Sequence, residues 1–292
     1  MAIDKLQNEI RKMKNPSMVA FSMNRTCVPP AYLEAASDFC GAYCQYAKNL
    51  LKALKDLVPA VRFSFGSFAL HGPEGLYALK ELLSYAREQK YYILLDMPEL
   101  HSVQETELAS GMLFGGESLW DCAGLLLSCY MGSDGIKPFA DQLKDSKKDL
   151  FVVLRTGNRS ASEIQDLLTG SRLVYTVAAD MAKRLGEAFV TKCGYSRIAG
   201  VGAANAADSL RALRGKCANL FLLVDGFEYP GANAKVCSLA FDKLGHGAIV
   251  CAESYVTAAW KEESAGNTDP VDVAVQAAER MKKNLTRYVT VL

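Results

Sequence analysis

The stretch Tyr91-Tyr92-Ile93-Leu94-Leu95-Asp96-Met97-Pro98-Glu99-Leu100-His101 carries the pattern that decides the fold. A short apolar run ends in a polar loop, and a segment with helical periodicity follows. Runs that are apolar at nearly every position are typical of parallel strands covered on both faces. The chain has eight such runs: Met18–Met23, Ala60–Phe65, Tyr91–Asp96, Gly124–Cys129, Leu150–Leu154, Arg197–Val201, Asn219–Val224 and Gly247–Cys251.

Amphipathic segments alternate with these runs and predict helices. They are Tyr32–Leu57, Pro73–Gln89, Ser162–Leu168, Val174–Lys192, Ala204–Leu213 and Ala232–Leu244. A closing helix is predicted over Val271–Leu292, because Asn267-Thr268-Asp269-Pro270 supplies a capping residue and an early proline. Eight strand–helix units favour a (β/α)8 TIM barrel with extra N- and C-terminal helices over an open doubly wound sheet. No linker interrupts the pattern, so residues 1–292 are interpreted as a single barrel domain.

Charge and composition exclude several classes of function. The 33 basic and 32 acidic residues leave a net charge of +1, so we expect neither a nucleic acid nor a membrane partner. The nine cysteines and three histidines are scattered without the spacing of a zinc site, so we expect neither a metal nor a cofactor. The charged N-terminal segment does not resemble a secretory signal, which favours a cytoplasmic location.

Three further segments carry a resemblance to a known family. They are Gly132-Ser133-Asp134-Gly135-Ile136-Lys137-Pro138-Phe139, Val152-Val153-Leu154-Arg155-Thr156-Gly157-Asn158-Arg159-Ser160 and Gly200-Val201-Gly202-Ala203. In order and spacing the sequence resembles orotidine 5'-phosphate decarboxylase in its longer bacterial form. The resemblance implies a TIM barrel of pyrimidine biosynthesis, a lyase whose family converts orotidine 5'-phosphate to UMP and CO2.

The positions that resemble the family's catalytic residues are degenerate. The family loop Asp-x-Lys-x-x-Asp keeps its first aspartate as Asp96, but Pro98 replaces the lysine that protonates the product, and His101 replaces the second aspartate. Arg62 stands where the family has a lysine at the end of the second strand, and Ser22 where it has an aspartate at the end of the first. By resemblance, the catalytic candidates are Asp96, Arg62 and His101.

The phosphate-binding positions differ from the family as well. The family's Pro-Gly-x-Gly-Ala-Gln-Gly-Gly corresponds here to Asp225-Gly226-Phe227-Glu228-Tyr229-Pro230-Gly231-Ala232. The family arginine after the eighth strand is absent from Cys251-Ala252-Glu253-Ser254-Tyr255. The resemblance therefore gives a set of candidate ligand-binding residues at the barrel mouth: Ser22, Thr156, Asn158, Gly202, Asp225, Gly226 and Glu253.

These replacements predict that the ancestral reaction is abolished or severely reduced. Proline has no proton to donate, and an arginine such as Arg62 stays protonated and is a poor general acid. Two like charges about 4 Å apart, at an effective dielectric constant of about 20, repel each other by about 4 kcal/mol. Carboxylates at Asp225, Glu228 and Glu253 would therefore disfavour a phosphate dianion.

Three functional hypotheses remain open. The chain is a non-catalytic homologue, a divergent but active decarboxylase that uses another lysine, or a repurposed enzyme with an acidic, histidine-containing mouth. His71, Asp96, Glu99 and His101 would form that mouth if they converge in space. Each hypothesis allows a small-molecule ligand at the barrel mouth. The resemblance further implies a homodimer, or association with a related barrel, through the active-site face.

Overall fold

Eight parallel strands close into a barrel in the computed structural model, which describes residues 1–97, 100–115, 118–262, 265–266 and 268–292. The hydrogen-bonded order around the barrel is β1-β10-β9-β8-β5-β4-β3-β2, and a separate two-stranded hairpin is formed by β6 and β7. The barrel prediction is thereby confirmed. The strands are β1 (Ser17–Phe21), β2 (Ala60–Ser64), β3 (Tyr92–Asp96), β4 (Gly124–Ser128), β5 (Asp149–Val153), β6 (Leu168–Thr169), β7 (Arg172–Leu173), β8 (Ile198–Ala203), β9 (Leu222–Asp225) and β10 (Ala248–Ala252).

Helices surround the barrel, and helices also lie close to both termini of the chain. They are α1 (Ala2–Met13), α2 (Pro30–Ala35), α3 (Phe39–Leu54), α4 (Phe65–Ala69), α5 (Gly72–Glu88), α6 (Val103–Phe114), α7 (Lys137–Gln142), α8 (Val174–Gly186), α9 (Ala207–Lys216), α10 (Ala234–Cys237), α11 (Ser254–Thr257) and α12 (Pro270–Thr286). Across the described part of the chain, no helix is both long and apolar enough to cross a membrane.

The closing helix α12 begins as its capping sequence predicts. The Asp269 carboxylate accepts a hydrogen bond from the backbone N–H of Val271 at 2.8 Å, and Pro270 occupies the first turn. Asn267, which was part of the predicted start, lies outside the described residues. The helix ends at Thr286, so its predicted extension to Leu292 is wrong.

The predicted helices over Tyr32–Leu57, Ser162–Leu168 and Ala232–Leu244 are wrong in extent or type. The first is divided because the Asp38 carboxylate accepts a hydrogen bond from Gly41 N–H at 2.8 Å and starts a new helix, α3. The second is a 3-10 turn followed by the β6–β7 hairpin, whose turn contains Gly170 at φ 62°. In the third, only the short α10 and one 3-10 turn form.

The floor of the barrel is closed by a buried polar group at the amino ends of the strands. Tyr92 donates a hydrogen bond from its hydroxyl to Asp149 Oδ2 at 3.0 Å, and Arg197 Nε lies 3.6 Å from Asp149 Oδ1. Burial raises the pKa of Asp149 to about 7, against the opposing effects of the Tyr92 hydrogen bond and the Arg197 charge. The interior of the barrel is therefore closed at this end, and it opens at the carboxyl ends of the strands, as is usual for this fold.

Candidate active site at the carboxyl end of the barrel

An ion pair crosses the mouth of the barrel between strands that are not neighbours. Arg62 on β2 donates from Nη1 to Asp225 Oδ1 on β9 at 2.8 Å, and β1 and β10 lie between the two strands. The side chains are 12% and 25% exposed. Burial alone would lower the pKa of Arg62, but the negative charge of Asp225, with those of Asp96 and Glu253, raises it overall. Arg62 therefore remains a permanent cation and cannot donate a proton.

Asp96 lies beside this pair, at the end of β3. Its register neighbour on β2 is Ser64, two residues beyond Arg62 along that strand. Burial raises the pKa of Asp96 to about 6; Arg62 opposes the rise, while Asp225 and Glu253 add to it. Because this value lies close to neutrality, Asp96 can hold or release a proton at physiological pH.

The loops after β9 and β10 are joined by a second acidic side chain. Glu228 accepts a hydrogen bond from the backbone N–H of Glu253 on both carboxylate oxygens, at 3.1 and 3.2 Å. Burial raises the pKa of Glu228, and the nearby Asp225 and Glu253 charges act in the same direction. The backbone N–H of Glu253, the residue that follows β10, therefore already has a hydrogen-bond acceptor within the chain.

The ring of Tyr229 lies against two glycines at the mouth. A Cβ atom on Gly157 would lie 2.4 Å from Tyr229 Cδ2, and one on Gly226, whose φ is 82°, would lie 2.1 Å from the same atom. Asn205 supports this arrangement by donating from Nδ2 to Gly157 O at 3.0 Å and to Pro230 O at 3.4 Å. Only residues without a side chain can accept the tyrosine ring this closely.

An open cleft of about 550 Å³ borders Tyr229. It is lined by Thr156, Gly157, Asn158, Arg159, Asn205, Asp225, Tyr229 and Pro230. The structure thus brings three of the predicted ligand-binding residues together at one cleft: Thr156, Asn158 and Asp225. Asn205 and Tyr229 were not among the predicted site residues. Asn205 lies two residues after the end of β8, and this position could have identified it, because side chains at the carboxyl ends of barrel strands line the mouth.

Thr156 and Asn158 are held by a local hydrogen-bond network. The Thr156 hydroxyl lies 2.5 Å from Asn158 Oδ1, and Gln165 Oε1 accepts from the backbone N–H of Thr156 at 2.8 Å. Arg155 forms two hydrogen bonds to the Asp166 carboxylate, at 2.9 and 2.8 Å. Arg155 is therefore paired within its own loop, and the loop presents Thr156 and Asn158 to the cleft.

Two other predicted residues lie apart from this group. Ser22 lines a small cavity of about 10 Å³ with Tyr43, Tyr46 and Thr257. A Cβ atom on Gly202 would lie 2.9 Å from Leu210 Cδ2 on α9, so this position faces the outer helices. Close helix–strand packing explains the glycine at 202. Gly226 and Glu253 do lie at the mouth, as described above.

The predicted cluster of His71, Asp96 and His101 does not assemble in the described residues. His71 Nε2 lies 3.2 Å from the carbonyl oxygen of Met23, and its ring packs on Phe39. His101 donates its backbone N–H to Glu105 at the start of α6. Glu99, the fourth member of the predicted cluster, lies outside the described residues, as does Pro98, which stands in the place of the family lysine. No group of three or more His, Cys, Asp or Glu side chains within the described ranges could hold a metal ion.

Comparison with known proteins gives a consistent result. No protein-family model matches the chain. Orotidine 5'-phosphate decarboxylase of Petrotoga mobilis is 25% identical over 98% of each chain. The enzyme of that name from Clostridium acetobutylicum is 27% identical over 98% of this chain and 99% of its own.

Solved structures agree on the fold. The OMP decarboxylase of Leishmania donovani superposes with a TM-score of 0.74 at 22% identity, covering 98% of this chain and 99% of its own. Orotidine 5'-monophosphate decarboxylase of Plasmodium berghei gives a TM-score of 0.77 at 14% identity and 99% coverage of both chains. Over nearly its full length, this chain is therefore similar in sequence to curated orotidine 5'-phosphate decarboxylases, and it has the same closed barrel as the solved structures of that name.

Proposed function

We propose that this chain is a family member that has lost orotidine 5'-phosphate decarboxylation and retains the barrel for another role, either as a non-catalytic homologue or as a repurposed enzyme. The observation that carries the proposal is the Arg62–Asp225 ion pair at 2.8 Å. Decarboxylation leaves a carbanion that must be stabilised by a nearby cation and then protonated. The cation near Asp96 is a guanidinium that is already paired and has no proton to give.

The charge of the mouth supports the same proposal from the phosphate end. The charges of Asp225 and Glu253 raise the pKa of both Asp96 and Glu228, and Arg62 is a cation that opposes the rise at Asp96. A close contact between a phosphate and one carboxylate costs about 4 kcal/mol at an effective dielectric constant of about 20, roughly a thousandfold in affinity. Glu228 also accepts the hydrogen bond of the Glu253 backbone N–H, a donor that a phosphate would otherwise use.

The test is an absorbance assay with orotidine 5'-phosphate, using the Clostridium acetobutylicum relative as the positive control. We expect turnover at least about a thousandfold below that of the relative, because the electrostatic term is the largest in such catalysis. Calorimetry with UMP then separates lost catalysis from lost binding, and we expect no heat of binding. A rate within tenfold of the relative's would refute the proposal and would favour a divergent active decarboxylase.

A repurposed acid–base enzyme is the second candidate, favoured by the pKa of about 6 at Asp96. A carboxyl group that titrates near neutrality is suited to move a proton on a neutral or cationic substrate. A thermal-shift screen of neutral and cationic metabolites tests it, with Asp96→Asn as the matched variant. A compound that stabilises the wild type and is turned over only by it would support this candidate.

We further propose that the protein is a cytoplasmic homodimer. Leu108 and Met112 are one helical turn apart on α6 and are 66% and 62% exposed, and Tyr130 after β4 is also exposed. Apolar side chains grouped on one face are typical of an interface. Light scattering should give about twice the chain mass of 31.8 kDa. Leu108→Glu with Met112→Glu should yield the monomer, whereas the control Leu168→Glu, at an exposed residue of the β6–β7 hairpin, should not.

A further inference from the structure

A second cleft lies at the opposite end of the barrel from the mouth. It has a volume of about 930 Å³ and is formed between α1 and the segment 188–193. The neighbouring contacts identify its position: Ala2 N–H donates to Lys147 O just before β5, and Gly247 N–H donates to Gln7 Oε1 just before β10. Both contacts lie at the amino ends of strands. The cleft therefore shares no residue with the candidate active site.

One wall of this floor cleft is a single face of α1. Asp4, Gln7, Asn8 and Arg11 recur at helical spacing and all line it. The opposite wall is held in place because Asp4 accepts a hydrogen bond from the backbone N–H of Cys193 at 2.9 Å. The two walls are thus fixed relative to each other. The volume falls within the range of small-molecule sites in proteins.

The charge of the floor cleft is positive. Arg11, Lys144 and Lys192 line it, and Asp4 is the acidic side chain among its lining residues. Arg11 donates from Nε to Leu292 O at 2.9 Å, and Lys144 Nζ lies 3.4 Å from Asp141 Oδ1. Arg197 also borders the cleft, but its guanidinium is bonded to backbone carbonyls of residues 143–148. A concave surface with an excess of one sign of charge concentrates counter-ions.

Gln7 adds a donor that the fold does not use. The residue is 2% exposed, and its Oε1 accepts from Gly247 N–H at 3.0 Å, which fixes the orientation of the amide. Its Nε2 group has no hydrogen-bond partner among the described residues. A buried amide donor without an acceptor is unfavourable and calls for a bound group that satisfies it. This unused donor and the lysines of the floor cleft are suited to the same kind of ligand, one with negatively charged oxygens.

We infer that the floor cleft binds a small organic anion bearing phosphoryl or carboxylate groups, with one oxygen accepting from Gln7 Nε2 and the others facing Lys144 and Lys192. Charge-assisted hydrogen bonds of this kind are stronger than those between neutral groups. The inference is independent of the proposed loss of decarboxylation, because it concerns the other end of the barrel.

Calorimetry of the full chain at low salt tests the inference with two probes, inorganic pyrophosphate and citrate. Binding of pyrophosphate assigns a phosphoryl ligand, and binding of citrate alone assigns a carboxylate ligand. The double variant Lys144→Glu/Lys192→Glu should weaken binding at least about tenfold. Lys80→Glu, at an exposed lysine on α5 outside the cleft, is the matched control and should leave binding unchanged.

Gln7→Glu tests the buried donor separately, because it keeps the acceptor for Gly247 and removes the N–H group. We expect weaker binding with the circular dichroism spectrum retained. If Gln7→Glu fails to fold, the lysine variants still decide. The inference is overturned if neither probe binds the wild type, or if the lysine double variant binds as tightly as the wild type.

Discussion

Arg62 and Asp225 are joined at 2.8 Å across two intervening strands of the barrel. Asp225 therefore takes up part of the positive charge that Arg62 would otherwise offer to Asp96 and Glu253, the other two carboxylates that act on it. The mouth is therefore electrostatically suited to repel an anion. This single contact connects the degenerate sequence to the proposed loss of function.

The Arg62–Asp225 ion pair should contribute measurably to the free energy of unfolding. Asp225→Asn leaves a mostly buried guanidinium without its carboxylate, which should lower the free energy of unfolding by about 1 to 3 kcal/mol after allowing for partial exposure. Urea denaturation measures the change. Arg62→Met combined with Asp225→Asn should recover much of the loss, because no unpaired charge remains. Additive losses in the double variant would argue against a direct coupling.

Asp96 should give the protein a pH-dependent stability. Its pKa rises from the ordinary 3.8 to about 6 in the folded state, so the folded protein binds the proton more tightly than the unfolded chain. Its contribution is complete below about pH 4 and is lost as the pH rises through about 6. Denaturation between pH 4 and 7 should therefore show a steeper decline for the wild type than for Asp96→Asn. Parallel curves for the two proteins would contradict the raised pKa.

Tyr92→Phe tests the buried floor. The Tyr92 hydroxyl donates to Asp149, whose pKa is raised from 3.8 to about 7. Because this bond favours the charged carboxylate, its removal should cost about 2 kcal/mol at pH 8 and less at pH 5, where Asp149 is protonated in the fold. Urea denaturation at the two pH values measures the difference. An equal loss at both would mean that Asp149 does not change its protonation state between the two pH values.

Gly157→Ala should disturb the mouth without touching the charges. The added Cβ would lie 2.4 Å from Tyr229 Cδ2, so the ring must move, at a cost of about 1 to 3 kcal/mol. Tyr229→Ala in the same chain should remove most of this cost. The control is Gly215→Ala on α9, where the new Cβ would meet nothing within 4 Å apart from its chain neighbours and the backbone of its own helix, and the helix should gain up to about 1 kcal/mol. An equal change in both single variants would refute the close packing of Tyr229.

The sequence pattern predicts the eight barrel strands to within a few residues, because buried parallel strands need apolar side chains on both faces. Helix extents are predicted less well. Polar side chains such as Asp38 can begin a new helix inside an amphipathic segment, and Gly170 allows a hairpin where periodicity alone favours a helix. Both errors arise where a local backbone hydrogen bond or a positive φ overrides the hydrophobic pattern.

The sequence predicts only part of the candidate site, because contacts within the folded chain decide which side chains reach the mouth. Asp96, Arg62 and Asp225 were candidates through the family resemblance, and the structure brings them together. Gly202 sits at the same end of its strand but faces α9, because successive residues of a strand point to opposite faces. Tyr229 and Glu228 belong to a loop whose path depends on contacts with Gly157 and Glu253.

By itself, the amino-acid sequence determined the closed barrel and the absence of a proton-donating lysine at position 98. Both depend on residue type and spacing, which are local properties of the chain. Tertiary structure alone decided that Arg62 forms an ion pair with Asp225 and that Glu228 accepts the hydrogen bond of the Glu253 backbone N–H. It also decided that a basic cleft opens at the barrel floor. These relationships join residues far apart in sequence, and charges interact according to their separation in space.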